Sequence, residues 1–196
     1  FHRWFDGIGP TVRTAVIGLQ MVVAVVAATA VWGLAGTAGA AALLGLAYWT
    51  NGDLDAAHRW YTDGMASLEK AGYLSDLIGG AITQADIRIA QGRLREAMTR
   101  YERGLQIATP QAGTVLRGAA DMHVGISMVL RERNDLAAAV QHLRTSKELG
   151  EPTGLPQNRY RWRVAMAEVR EAEGDLDGAV EELSEAQRVY VSDFSP

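Results

Sequence analysis

The side chains best suited to chemistry are few. Histidines stand at positions 2, 58, 123 and 142, none with a second His four residues on, and no His-Glu-x-x-His run occurs, so helix-borne zinc ligation is not indicated. Gly125-Ile126-Ser127-Met128 lacks the second glycine of a nucleophile elbow, and Ser127 reads as a helix-packing residue. Glu168, Glu171 and Glu173 cluster on a stretch already rich in Arg, which suits a solvated, salt-bridged face better than acid–base catalysis. The least ordinary composition is Arg159-Tyr160-Arg161-Trp162-Arg163. Arginine beside aromatic rings suits an anionic or sugar ligand or an acidic peptide, and equally a seam sealing one helix pair against the next. No cysteine is present, which excludes disulfides and thiolate chemistry. The net charge of −4 argues against a nucleic-acid backbone as the partner of this segment. No catalytic constellation, cofactor motif or metal site is expected.

These residues must be held by something, and the scaffold is legible in a repeat. Gly52-Asp53-Leu54-Asp55-Ala56-Ala57 recurs as Gly92-Arg93-Leu94-Arg95-Glu96-Ala97, Asn134-Asp135-Leu136-Ala137-Ala138-Ala139 and Gly174-Asp175-Leu176-Asp177-Gly178-Ala179, at steps of 40, 42 and 40 residues. Leu at offset 2, Ala at offset 5 and a large apolar residue at offset 9 (Tyr61, Tyr101, Leu143, Leu183) share one helix face. The leading Gly or Asn supplies the left-handed turn that ends one helix, and the Asp after it caps the next in copies one, three and four. Each unit is helix, tight turn, helix, and the period points to a solenoid. Four pairs are expected: about 38–50 with 53–70, 74–91 with 93–108, 113–133 with 135–149, and 157–173 with 175–190. No sustained alternation marks a strand. The predicted class is all-α, an α-solenoid of about four helix hairpins.

Residues 1–37 break the pattern and form a separate apolar segment ahead of the 38–196 repeat domain. No charge occurs from Thr14 to Trp49. Residues 14–34, opening at Thr14 and closing at Leu34, are long enough to cross a bilayer, with Trp4 and Trp32 at the flanks; a buried solenoid helix and a fused segment are the other readings. A span would anchor the chain to a membrane, with Arg3 and Arg13 setting a cytoplasmic N-terminus. The chain opens on Phe1, as a fragment or processed product would.

Leu44-Gly45, Tyr48, Gly52, Ala57 and Tyr61 resemble the tetratricopeptide (TPR) pattern, with Ala85, Ser127 and Ala167 replacing the inner Gly in later copies. The runs Ala85 to Ala97, Gln157-Asn158-Arg159-Tyr160-Arg161-Trp162-Arg163 and Tyr190 to Pro196 further resemble the sensor region of large ATP-binding LuxR-type transcription regulators, the group of the bacterial maltose-operon activator. The resemblance covers about 38–196. It implies a cytoplasmic regulatory repeat region whose groove takes an inducer or an inhibitory protein. ATP hydrolysis and DNA binding are not carried over, because no Gly-x-x-x-x-Gly-Lys-Ser/Thr loop and no basic recognition helix occurs in the sequence. In such arrays the first helix of each pair lines the concave face. That expectation names Asp86, Asp121, Val124, Met128, Arg131, Arg161, Trp162, Glu168 and Glu171 as the surface for a protein or small-molecule effector.

Overall fold

The computed structural model of the chain describes residue 41 and residues 44–72, 74–109 and 113–194. Among the described residues every regular element is helical. A helical stretch over 44–50 precedes α1 (Leu54–Ala71), α2 (Leu74–Ala90), α3 (Leu94–Ala108), α4 (Ala119–Glu132), α5 (Leu136–Leu149), a single 3₁₀ turn (Glu151–Thr153), α6 (Asn158–Glu173) and α7 (Leu176–Phe194). The chain forms two compact units, residues 1–74 and residues 75–196. The described part of the first holds one helix hairpin; the second holds three, α2/α3, α4/α5 and α6/α7.

The four repeated segments occupy equivalent places. Gly52, Gly92, Asn134 and Gly174 all take left-handed backbone, at φ of 82°, 70°, 59° and 86°. In each turn the leading residue donates its amide to the carbonyl three back, and the next residue donates to the carbonyl five back: Gly92 to Ile89 at 2.8 Å and Arg93 to Arg88 at 2.8 Å, for example, or Asn134 to Arg131 at 2.8 Å and Asp135 to Leu130 at 2.9 Å. This bonding satisfies the last carbonyls of the first helix while reversing the chain. The carboxylates of Asp53, Asp135 and Asp175 then accept from the amides of Ala56, Ala138 and Gly178 at 2.9, 3.2 and 3.0 Å, starting the second helix. Arg93, in the copy without an acid, makes no such cap.

Behind each turn the small Ala lets two helices cross closely. Ala57, Ala97 and Ala139 are fully buried. In the first unit the Tyr61 ring lies against the backbone of Gly45, where an added Cβ would come within 2.5 Å of it. In the second unit the equivalent Tyr101 reaches forward instead, onto Gly125 of α4, where a Cβ would come within 2.0 Å of the ring. The lost inner Gly of the second copy, Ala85, is thus replaced by a glycine in the next hairpin. Tyr101 anchors one core with Ile78, Ile82, Met122 and Ile126; Leu143 anchors a second with Val124, Ala139, Ala165 and Val169.

One expectation changes. The helix predicted from Gly113 begins at Ala119, because Gly118 sits at φ 101° and donates its amide to the distant Thr153 carbonyl at 2.6 Å, which breaks the helical ladder before it. Among the described residues, moreover, no helix is long and apolar enough to cross a membrane. The predicted apolar segment 1–37, with the candidate span at 14–34, lies outside the described residues.

Candidate functional site: the first-helix face

The first helices of the second unit, α2, α4 and α6, bring three of the predicted residues together. Asp86 on α2 accepts from the Nη2 of Arg161 on α6 at 3.0 Å, across 75 residues of sequence. The Tyr101 hydroxyl donates to the same Asp86 carboxylate. Asp121 on α4 faces the same guanidinium and accepts the Leu155 amide at 2.7 Å. Burial works against the Arg161 charge, but Asp86 more than offsets it, so its pKa is raised and the cation is permanent. Burial, reinforced by the Asp86 charge, raises the Tyr101 phenol well above its usual value, which keeps it a neutral donor. Burial also raises the Asp121 carboxyl, against the pull of the Leu155 amide and Arg161.

Further along the same face, Arg131 on α4 bonds Glu168 on α6 at 2.9 Å and Glu132 at 2.9 Å. Burial raises the Glu168 carboxyl and Arg131 opposes that shift. Met128 is half-buried against the Leu143 core, which also contains Val124. Glu171 is exposed near the end of α6. Trp162 does not join Arg161: its indole N–H donates to the Leu143 carbonyl on α5 at 2.7 Å. Successive helical residues turn by about 100°, so an Arg-x-Arg-x-Arg run cannot share a face. Arg161 points to α2, while Arg163 bonds Glu182 on α7 at 2.7 Å.

Paired helices with left-handed hairpin turns, a small residue at each crossing and a polar first-helix face form a TPR-like repeat fold. The sequence profile described as "MalT-like TPR region" matches residues 35–196. The chain belongs to that family. No curated protein sequence matches it. Solved structures share the fold at low identity. The crystal structure of the putative kinesin light chain TPR-like repeats of Podosopora anserina superposes with a TM-score of 0.59 at 15% identity, covering 100% of this chain and 93% of that one. A single-substitution variant of those repeats gives 0.61 at 15% identity, with coverages of 97% and 91%. BtubC (BKLC) from P. vanneervenii gives 0.58 at 16% identity, with 80% of this chain covered; the match spans 64% of the BtubC chain. At such identities the likeness is one of fold.

Two groupings escaped the sequence reading. His123 on α4 and His142 on α5 meet Nδ1 to Nδ1 at 2.9 Å, one ring donating and the other accepting. Burial lowers both pKa values, and with the added repulsion of His142 that of His123 falls to about 4. His123 stands 11 residues before Asn134 and His142 8 after it, a spacing that meets across the hairpin and is the signal that could have paired them. The second grouping is a cleft among α5, α6 and α7, bordered by Ser146, Lys147, Asn158 and Trp162. Among the described residues, no three metal-ligating side chains converge.

Proposed function

We propose that this chain is a non-catalytic interaction module that receives a protein or small-molecule effector on the α2/α4/α6 face, as the regulatory repeat region of a LuxR-type ATP-dependent transcription regulator. The observation that supports it most is the row of charged side chains contributed by all three first helices: Asp86, Asp121 and Arg161 at its buried end, Arg131 and Glu168 at its more open end. A face whose only task was to seal hairpins could be apolar at lower cost, since buried ion pairs are weak stabilisers compared with packed hydrophobic groups. Arg131 and Glu168, each about a quarter to a third exposed, are the groups an effector would reach. Calorimetric titration of the chain with oligosaccharides, nucleotides and acidic peptides tests the reading. Saturable binding of one class, weakened about tenfold by Arg131→Ala, is the expected result. Silence across all three classes, or binding indifferent to Arg131, would overturn it.

The charge-free run at 14–34 supports a second reading, a membrane-anchored TPR scaffold. Carbonate washing of membranes from cells making the chain separates the two. Complete recovery in the wash removes the anchor.

A further inference from the structure

The cleft among α5, α6 and α7 lies on the side of α6 away from Arg161. It is partly open to solvent and offers about 240 Å³, room for a small organic molecule. Ser146 is 1% exposed, and its hydroxyl has no hydrogen-bond partner. The Nδ2 of Asn158 is likewise buried and turns one N–H to the Asp121 carboxylate. An amide nitrogen carries two N–H groups, so one remains for a ligand even when the other turns to Asp121. Both residues line the cleft. A buried donor without an acceptor is costly, and water or a ligand commonly supplies the missing group.

The charge at the cleft is also incomplete. Arg163 is taken by Glu182 at 2.7 Å, and Arg159 lies between Asp193 at 3.3 Å and Glu151 at 3.6 Å. Lys147 differs. Its ammonium stands 5.3 Å from the Trp162 ring centroid and has no carboxylate partner among the described residues. A ring face positions a cation without neutralising it. The ring is itself fixed, by its indole N–H on the Leu143 carbonyl. The result is a positive charge held at the exposed rim of a cleft that Glu151 and Glu185 also line, beside a buried hydroxyl and a buried amide with one N–H still to give.

We propose that this cleft binds a small organic anion: its carboxylate or phosphate group lies against the Lys147 ammonium and accepts from the Ser146 hydroxyl and the Asn158 amide. The room suits a ligand of roughly the size of a dicarboxylate or a triose phosphate. This site adjoins the α2/α4/α6 face through Asn158 and Asp121 but does not depend on the function proposed for that face.

The test is calorimetric titration of the full chain with succinate, glycerol 1-phosphate and inorganic phosphate, with glycerol as the neutral control. At least one anion is expected to saturate a single site while glycerol does not. Lys147→Met should weaken that binding about tenfold or more, and Ser146→Ala about fivefold, with the Ser146→Ala protein no less heat-stable than its parent. Arg131→Ala should leave it unchanged, which separates this site from the first-helix face. Saturation by succinate alone identifies a carboxylate ligand, and saturation by a phosphate alone a phosphorylated one. Failure of all three anions to saturate by about 10 mM, an affinity too weak for a built site, would overturn the proposal. So would full-strength binding to both Ser146→Ala and Lys147→Met. If Lys147→Met does not fold, Ser146→Ala decides alone.

Discussion

The two sides of α6 treat polar side chains in opposite ways. Toward α2, Arg161 closes on Asp86, and Asp86 accepts Tyr101 as well, so these three groups satisfy one another within the chain. Toward α5 and α7, Lys147 is held by a ring alone, and the Ser146 hydroxyl is buried with its hydrogen bond unmade. Both sides carry a cation beside an aromatic residue, Arg161 largely buried and Lys147 exposed. Composition therefore does not separate a strut from a binding site. What separates them is whether the polar groups satisfy one another. A closed network resists being opened, whereas an open one gains from an added partner.

The largest effect should come from opening the closed side. Asp86→Ala leaves the Arg161 guanidinium buried and unpaired and is expected to cost about 3–5 kcal/mol of stability, measured by urea unfolding. A loss below about 1 kcal/mol would mean that the Asp86–Arg161 pair is no strut. Next comes a contrast between repeat-equivalent positions. Leu143 is fully buried and Leu183 is 49% exposed. Leu143→Ala should cost about 2–4 kcal/mol, and Leu183→Ala less than about 0.5 kcal/mol; equal costs would refute the packing described for α5.

The histidine pair gives an intermediate effect with a definite sign. The folded chain holds His123 at about 4, below the unfolded value near 6.5, so the unfolded state binds the proton first. Stability is fully present above about pH 6.5 and falls as pH drops toward 4. After discounting for solvent at a half-exposed ring, the loss attributable to the pair is about 1–2 kcal/mol. His142→Gln should flatten that part of the stability curve, and an unchanged curve would show that the pair does not titrate as described. The smallest effect belongs to the open side. Ser146→Ala should leave the thermal midpoint unchanged or raise it slightly, because it deletes an unpaired buried hydroxyl. A loss above about 1 kcal/mol would mean the hydroxyl is already bonded within the fold.

Much of the scaffold was legible because local rules fix it. Gly52, Gly92, Asn134 and Gly174 mark turns that need left-handed backbone, and Asp53, Asp135 and Asp175 announce the helix starts. The start of α4 was not legible: Gly118 is held by Thr153, and no local pattern encodes a carbonyl arriving from that far along the chain. Asp86, Asp121 and Arg161 were correctly expected on first helices, but their meeting depends on how three helices stack. Trp162 was grouped with Arg161 by adjacency, although neighbours on a helix diverge. The contacts His123–His142 and Arg163–Glu182 were within reach. Each pair stands 11 residues before and 8 after the leading residue of its turn, a spacing at which side chains meet across the hairpin.

The bond from Arg161 to Asp86 skips a hairpin. In a plain stack each hairpin touches only its neighbours, so the end one can peel away while the rest stays folded. Here detaching α6 and α7 also strips α2 of the counter-charge beneath Tyr101. A pull on the C-terminal end should therefore meet one large yield event rather than a staircase of small ones, and a load at that end is passed directly to α2.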